Sequence, residues 1–270
     1  MRPGEPSPPS DVGARLQALL TRIARDPARP TLDELAAIDE FHTRGREATA
    51  ELLARLDPPP GSLVLDGGCG LGGPARLLAA GRGCRVVGID LDPANVALAR
   101  RLTLATGLGD RVRLAVGDGT ALPFPEATFD GAVSQHVAIS VADKPALYRE
   151  LRRVLRPGGR LGIHDLAAGP GGPPLLPAPW AADRAGSHLE TVGTTRALLE
   201  KAGFSVSEEA DDAVPARAWA GRLIDRLGRG GLPPLLGLLF PQRAEEIARN
   251  LARNLLESRA MPFQLVAEAR

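Results

Sequence analysis

One short segment, an apolar run followed by a carboxylate and several glycines, constrains the fold of this chain most. The run at 63–65 ends in Asp66, and an Ala- and Leu-rich stretch begins at Pro74. The glycines between them are Gly67, Gly68, Gly70, Gly72 and Gly73. This order is typical of a strand, a nucleotide-binding loop and a helix. A glycine turn without a ligand is the alternative, which the strand and helix patterns on either side disfavour.

The glycine spacing does not identify the cofactor, because Gly68-x-Gly70-x-x-Gly73 also satisfies the dinucleotide fingerprint. Asp66 discriminates between the candidates. A pyrophosphate beside this carboxylate would bring like charges together in a partly dehydrated site. S-adenosylmethionine instead carries an ammonium and a sulfonium, which a carboxylate attracts. Asp66 therefore favours S-adenosylmethionine, and an NAD(P)-dependent oxidoreductase is the alternative.

A second carboxylate, Asp90, ends the predicted strand at 85–89, twenty positions after Gly70. A carboxylate at the end of the second strand is placed to accept hydrogen bonds from both ribose hydroxyls of an adenosine. Leu91 follows and suits the adenine face. Asp92 is predicted to be only the N-cap of the next helix.

A third carboxylate, Asp118, follows the predicted strand at 111–116 and precedes Gly119 and Thr120. We expect Asp118 to accept from the adenine amine, with the flanking backbone contacting the ring nitrogens. An Asx-type turn is an equally good explanation for this residue alone. Three acidic residues after three successive strands make the combination more specific than any one of them.

These motifs resemble those of the class I S-adenosylmethionine-dependent methyltransferases. The resemblance is carried by Asp66-x-Gly68-x-Gly70-x-Gly72, Asp90, Gly117-Asp118, Phe129-Asp130 and the turn at 155–161. It runs from about residue 31 to the end and is densest at 62–166. The segments 41–46 and 134–136 are similar to a small-molecule branch, the sarcosine/dimethylglycine N-methylating and tocopherol-type C-methylating enzymes. Gly67 departs from the family, which more often has an aliphatic residue there.

The resemblance implies an α/β fold: a Rossmann-like, doubly wound, seven-stranded, mostly parallel sheet with an antiparallel edge. Strands are predicted near 62–66, 85–89, 111–116, 129–134 and 160–166, a sixth from 203 and a seventh at 263–267. We predict a disordered tail at 1–10, an N-terminal helical cap at 11–60, a cofactor-binding core at 61–210 with 261–270, and a helical cap insertion at 211–260. The insertion is too long for a structureless loop, and its helical spacing predicts helices at 219–227 and 241–256.

The resemblance also implies contacts outside the three carboxylates. Gln135 is expected to touch the cofactor, and Arg46, from the N-terminal cap, to pair with the methionyl carboxylate. His136 follows the fourth strand beside the expected methyl group and is the candidate catalytic residue. A base is needed only where the acceptor must lose a proton.

The four histidines of the chain are candidates for a metal site. His42, His136, His164 and His188 could combine with Asp165, but no pair has helix spacing. Neighbouring residues 164 and 165 also point to opposite faces of a strand. We therefore predict no metal.

Composition excludes some partners. The chain of 270 residues has 33 Lys and Arg against 32 Asp and Glu, so it has no basic field for nucleic acid or an anionic membrane. Its two cysteines have no zinc or redox spacing, and the apolar stretch at 232–240 is too short to span a bilayer. We expect a cytoplasmic enzyme that methylates N, O or C of a small-molecule acceptor, with a homodimer left open. A cofactor-binding relative without methyl transfer, cyclase-like or regulatory, is the other alternative.

Overall fold

The computed structural model describes residues 9–40 and 42–270. The predicted disordered tail at 1–10 falls almost entirely on residues 1–8, outside this range. No helix within the described ranges is both long and apolar enough to cross a membrane.

A seven-stranded sheet forms the centre of the molecule. Its strands are β1 (Leu63–Gly67), β2 (Arg85–Asp90), β3 (Val112–Val116), β4 (Phe129–Gln135), β5 (Leu155–Ala168), β6 (Phe204–Asp211) and β7 (Ala260–Ala269). They lie in the order β3-β2-β1-β4-β5-β7-β6, and only β7 runs antiparallel to its neighbours. The predicted fold class, with its antiparallel edge, is therefore confirmed.

Ten helices surround this sheet in the described part of the chain. They are α1 (Pro9–Ile23), α2 (Leu32–Asp39), α3 (Arg46–Leu56), α4 (Gly73–Arg82), α5 (Pro93–Ala105), α6 (Lys144–Val154), α7 (Val192–Lys201), α8 (Ala213–Gly228), α9 (Pro234–Leu239) and α10 (Ala244–Leu256). One apolar cluster joins the sheet to α6 and α7 through residues such as Leu147 and Leu199. A second joins it to α3, α4 and α5 through Leu52, Leu78 and Val96. The two clusters produce the doubly wound arrangement.

The strand order reverses between β1 and β4, which lie side by side. Ligands of open α/β sheets bind in the crevice at such a point, beyond the carboxyl ends of the strands. The crevice here brings together the glycine loop after β1 and the Gln135-His136 segment at the end of β4. Sheet topology thus determines where the predicted site residues meet.

The N-terminal helices and the 211–260 segment pack next to this crevice. Leu16 of α1, Leu35 of α2 and Leu235 of α9 belong to one apolar cluster. A buried ion pair ties α2 to the core, because Nη2 of Arg76 donates to Oδ2 of Asp39 at 2.7 Å. Helices α8 and α10 form a separate cluster with the 3₁₀ turn Ala138–Ser140 and the end of β5.

Several element boundaries differ from the sequence prediction. β5 runs over Leu155–Ala168 instead of 160–166, and because it pairs with nearly the whole of β7, His164 lies well inside the strand. α8 begins at Ala213 instead of 219, and the unpredicted helix α9 occupies Pro234–Leu239. The sequence did not predict α9 because Pro233 and Pro234 were read as interrupting the apolar stretch. Proline is nevertheless compatible with the first turn of a helix, where it lies here.

Candidate active site

A cavity of about 350 Å³ lies at the carboxyl ends of the central strands. Every predicted site residue except Arg46 and Thr120 lines it: Asp66, Gly68, Gly70, Asp90, Leu91, Asp118, Gly119, Gln135 and His136. The walls also include Ile38 of α2 and Leu235 of α9. The sheet and the helices flanking it therefore enclose one site.

The loop after β1 depends on glycine at its first turn. Gly68 has a φ of 79°, and a Cβ there would lie 2.2 Å from Cγ2 of Val137. The N–H groups of Gly68 and Cys69 both donate to the carbonyl of Ile89 at the end of β2, at 2.9 and 2.8 Å. The loop is thus held against the end of β2, and the Val137 side chain leaves no room for a side chain at Gly68.

Asp66 has one unsatisfied carboxylate oxygen. The residue is only 1% exposed, lines the cavity, and its Oδ2 has no hydrogen-bond partner among the described residues. Burial, together with the charge of Asp90, raises the pKa of Asp66 to about 7, although a backbone hydrogen bond from Ala75 opposes this shift. A buried carboxylate oxygen without a partner is costly, and a cationic ligand would satisfy it. This fits the ammonium of S-adenosylmethionine.

Asp90 holds the loop together in addition to facing the cavity. Its Oδ2 accepts from the N–H of Gly70 at 2.8 Å, and its Oδ1 accepts from the N–H of Asp92 at 3.0 Å and from Nδ2 of Asn95 at 3.2 Å. A carboxylate has roughly four acceptor positions, so about one remains for a ribose hydroxyl. The expected contact with both hydroxyls would require one of these donors to give way.

Asp118 forms the turn that the sequence left as an alternative. Its Oδ1 accepts from both the N–H and the hydroxyl of Thr120, at 2.8 and 2.7 Å, and these bonds lower the pKa of Asp118. The carboxylate still lines the cavity, whereas Thr120 only orients it. Leu91 also lines the cavity and is 73% exposed, so its side chain is free to cover an aromatic ring.

Arg46 lies away from the cavity. Its Nε donates to Glu40, and its Nη2 donates to the carbonyl of Leu32 at 2.7 Å. The predicted pairing of Arg46 with the methionyl carboxylate would require it to leave these partners.

Three of the four histidines converge at the cavity, where His42 and His136 are part of the wall. The ring centroids of His42 and His136 are 5.8 Å apart, those of His42 and His164 are 5.5 Å apart, and those of His136 and His164 are 4.9 Å apart. Burial lowers the pKa of His42 to about 4 and that of the other two well below its usual range. All three rings are therefore neutral at physiological pH. His188 lies elsewhere, where its N–H donates to the carbonyl of Ile139.

The histidine cluster leads to charged residues that sequence analysis did not identify. Nε2 of His164 lies 3.6 Å from Oδ2 of Asp212, and this oxygen is 3.0 Å from Nη1 of Arg44. Arg44 in turn makes two hydrogen bonds to Glu51, at 2.8 and 2.6 Å. No sequence motif marks Asp212, because β5 and the start of α8 are brought together only by the pairing of β5, β7 and β6.

Nε2 of His136 is also buried without a hydrogen-bond partner among residues 9–40 and 42–270. The histidines do not form a metal site: in the part of the chain that the structure describes, no three His, Cys, Asp or Glu side chains are arranged to hold a metal ion. The arrangement suits a neutral imidazole that accepts a proton from a group in the cavity.

A second cavity of about 200 Å³ adjoins the first. His42, His136 and Leu235 line both, so the two cavities meet at the histidine cluster. Its remaining walls come from α2 and the segment that follows it, from α8, α9 and α10, and from the loop containing Pro179 and Trp180.

Comparison with known proteins identifies the family. Residues 65–163 match a methyltransferase domain model. Methyltransferase GfsG from Streptomyces halstedii is 31% identical over 214 residues, which are 78% of this chain and 74% of the relative. The chain belongs to the class I S-adenosylmethionine-dependent methyltransferases. The resemblance drawn from the motifs, and the cofactor it implies, are confirmed.

Two further proteins are similar to this methyltransferase over different parts of its length. A phosphoethanolamine N-methyltransferase from Triticum aestivum is 38% identical over 172 residues, 63% of this chain. The matched region is only 34% of that relative, so this chain spans about a third of its length. The crystal structure of the [4+2]-cyclase SpnF superposes with a TM-score of 0.71, covering 98% of both chains at 22% identity. That similarity shows the shared fold.

Proposed function

We propose that this methyltransferase transfers the methyl group of S-adenosylmethionine to a hydroxyl oxygen of a small-molecule acceptor. The single observation that carries the proposal is the position of His136. This neutral, buried imidazole lies between the cavity that contains Asp66 and a second cavity of suitable size for an acceptor. Neither nucleic acid nor a membrane is part of the proposal, in keeping with the balanced charge of the chain.

The residues around the first cavity would bind and orient the cofactor. Asp66 would pair with the methionyl ammonium, Asp90 would accept from the ribose, and Asp118 would accept from the adenine amine. Gly68 and Gly70 allow the loop to approach the methionyl end, and Leu91 would cover the adenine. The sulfonium supplies an activated methyl group, so the protein needs mainly to align donor and acceptor.

His136 would complete the reaction by removing a proton. As the acceptor oxygen forms its bond to the methyl carbon, the bond from that carbon to sulfur breaks, and the hydroxyl proton passes to Nε2 of His136. The products are a methyl ether, S-adenosylhomocysteine and an imidazolium that later loses its proton to water. General-base assistance of this kind contributes roughly 10²–10⁴-fold in rate.

Labelled methyl transfer tests this function. The enzyme is incubated with methyl-labelled S-adenosylmethionine and a set of alcohols, amines and carbon nucleophiles, and mass spectrometry follows the label. We expect the label on oxygen, accompanied by S-adenosylhomocysteine. Label on nitrogen or carbon would contradict the hydroxyl assignment. Tight cofactor binding without any S-adenosylhomocysteine across the set would favour the cyclase-like or regulatory alternative.

A further inference from the structure

The second cavity has a composition that limits what it can bind. Its walls are mostly apolar and include Trp180, Trp219, Leu223 and Leu251. Among the described residues that line it, only Glu40 and Arg226 carry a full charge. Ligand pockets that are lined by apolar and aromatic side chains with a few polar groups select apolar ligands with one or two polar atoms.

The tryptophan wall is fixed by hydrogen bonds. Nε1 of Trp180 donates to Oγ of Ser187 at 3.0 Å, so the polar edge of the indole is satisfied away from the cavity. The carbonyl of Trp180 accepts from Oγ of Ser140, in the 3₁₀ turn that follows His136. The loop is also fastened to α10, because the side chain of Asn254 bonds both the N–H and the carbonyl of Leu175. The cavity is therefore preformed, which reduces the entropic cost of binding.

The charges near the cavity do not suit a cationic acceptor. Glu40 is buried, and its Oε2 accepts no hydrogen bond among the described residues, but Arg46, which is bonded to Oε1, neutralises the charge of the carboxylate. Arg226 lies two turns after Trp219 on α8, so both residues lie on the same side of the helix. A positive charge there opposes the binding of a cation to the Trp219 ring, which would otherwise be favourable.

The cavity is equally unsuited to a phosphate group. Binding a doubly charged phosphate in a partly buried site requires several cations or backbone donors. Arg226 is exposed at the rim, and its Nη2 already donates to the carbonyl of Leu232 at 2.9 Å. This distinguishes the cavity from one that would take a small phosphorylated amine.

We infer that the second cavity binds the apolar body of the methyl acceptor, an uncharged alcohol with a hydrocarbon skeleton, and directs its hydroxyl to His136. The inference rests on the proposed function for the role of His136. The apolar skeleton contacts Trp180, Trp219 and the leucines, and its hydroxyl reaches the junction of the two cavities. The enzyme then selects its acceptor by apolar contacts in the second cavity, and it recognises the single hydroxyl group at the junction of the two cavities.

The two tryptophans of the chain make the test direct, since Trp180 and Trp219 are its only ones and both line this cavity. Tryptophan fluorescence of the full-length enzyme, saturated with S-adenosylhomocysteine, is titrated with geraniol, geranylamine and phosphoethanolamine. Calorimetry measures S-adenosylhomocysteine binding separately. We expect a saturable change with geraniol, one at least about tenfold weaker with geranylamine, and none with phosphoethanolamine.

Two variants assign the signal to the cavity. Ala36→Phe places a ring into the cavity from α2, at a residue that does not line the first cavity. We expect it to weaken geraniol binding about tenfold or more while S-adenosylhomocysteine binds as in the wild type. Trp219→Ala should weaken geraniol binding by a similar factor, and Trp219→Phe should restore most of it.

The outcomes separate this inference from the proposed function. Normal S-adenosylhomocysteine binding without a response to geraniol would overturn the apolar-acceptor inference and leave the cofactor site intact. Tighter binding of geranylamine or phosphoethanolamine than of geraniol would also overturn it. Failure of the folded enzyme to bind S-adenosylhomocysteine would instead contradict the function on which the inference rests.

Discussion

His136 and His164 form an edge-to-face pair, with ring centroids 4.9 Å apart and planes inclined at 67°. The N–H of His136 also donates to the carbonyl of His164 at 2.8 Å, so backbone and side chain of both residues are held together. His136 faces the junction of the two cavities, while His164 connects it to Asp212. The base that we propose is thus the member of this buried polar group that lines both cavities.

Replacement of His136 tests the base. His136 has a φ of 54°, a conformation that asparagine tolerates better than alanine, so His136→Asn is the cleaner variant. We expect its kcat to fall by about 10²-fold or more, with little change in cofactor affinity. Steady-state kinetics with an acceptor that the wild-type enzyme methylates measure kcat, and calorimetry with S-adenosylhomocysteine measures cofactor affinity. Wild-type kinetics from a folded His136→Asn enzyme at every pH would exclude a base at this position.

Asp212 should set the pH at which the histidine pair becomes protonated. The charges facing the pair are Asp212 from the start of α8, Arg44 and Glu51 from the N-terminal segment, and Glu40 beside His42. Asp212→Asn removes the negative charge nearest His164 and leaves the positive charge of Arg44 in place. Because this positive charge disfavours an imidazolium, the pKa of the histidine pair should fall. The acidic limb of the kcat–pH profile should therefore move to lower pH, and kcat on the plateau should fall.

Glu51→Gln is the matched control for Asp212. It removes the other carboxylate on Arg44 but lies farther from the rings, and its side chain is 42% exposed. The shift of the profile should therefore be smaller than with Asp212→Asn. Equal profiles for the wild type and Asp212→Asn would show that Asp212 has only a structural role.

Cofactor affinity should depend on pH through Asp66. Because the pKa of Asp66 is raised to about 7 without ligand, the carboxyl is largely protonated below that pH and must ionise to pair with an ammonium. Affinity for S-adenosylhomocysteine should fall about tenfold per pH unit below 7 and level off above it. Calorimetry in buffers of different ionisation enthalpy should detect proton release. Asp66→Asn should bind weakly with little pH dependence; an unchanged slope would assign the proton to another group.

The first turn of the loop should tolerate no side chain, whereas the next glycine should tolerate one. In Gly68→Ala the new Cβ would meet Val137, while at Gly70 nothing lies within 4 Å and only the φ of 51° opposes a side chain. Gly68→Ala should therefore lower cofactor affinity and Tm more than Gly70→Ala. Thermal denaturation with and without S-adenosylhomocysteine compares the two. A similar effect of both variants would mean that backbone strain, rather than contact with Val137, is decisive.

The Arg76–Asp39 pair should stabilise the fold strongly. Arg76 is fully buried and also donates to the carbonyl of Leu71 at 2.7 Å and to Oγ1 of Thr103 at 3.2 Å. Arg76→Leu leaves Asp39 buried without its closest cation, which should cost about 3–5 kcal/mol of unfolding free energy. Urea denaturation measures the loss. The double variant Arg76→Leu/Asp39→Asn should recover part of it; an even less stable double variant would contradict the charge argument.

The sequence predicts which residues gather around the first cavity, because these residues belong to local motifs. Asp66, Asp90 and Asp118 lie at or just after the carboxyl ends of β1, β2 and β3, and parallel strands bring these ends to one edge of the sheet. Arg46 and Asp212 illustrate the limit. The pairing of Arg46 with the methionyl carboxylate stays a prediction, and its bond to Glu40 is a spatial contact that no periodicity reveals. Asp212 meets His164 only because β7 returns between β5 and β6.

The second cavity was beyond prediction for a related reason. Trp180 and Trp219 lie in a loop and in an insertion, and their convergence depends on the packing of α8 and α10 against the end of β5. Nothing in the local pattern around either tryptophan indicates the other. Contacts between distant segments depend on the packing of many side chains, and no local motif in a single sequence indicates them.

The connection of the 211–260 segment to the sheet has an evolutionary consequence. The segment leaves the sheet after Asp211 and returns at Ala260, the first residue of β7, three residues before the Asp211–Phe263 pair of β6 and β7. Its two ends therefore lie close together at one edge of the sheet, so the helices between them can be lengthened, exchanged or replaced without changing the register of any strand. A lineage could acquire a new acceptor by remodelling this one segment while inheriting the cofactor-binding residues. Grafting a relative's segment between Asp212 and Ala260 is the corresponding route for engineering.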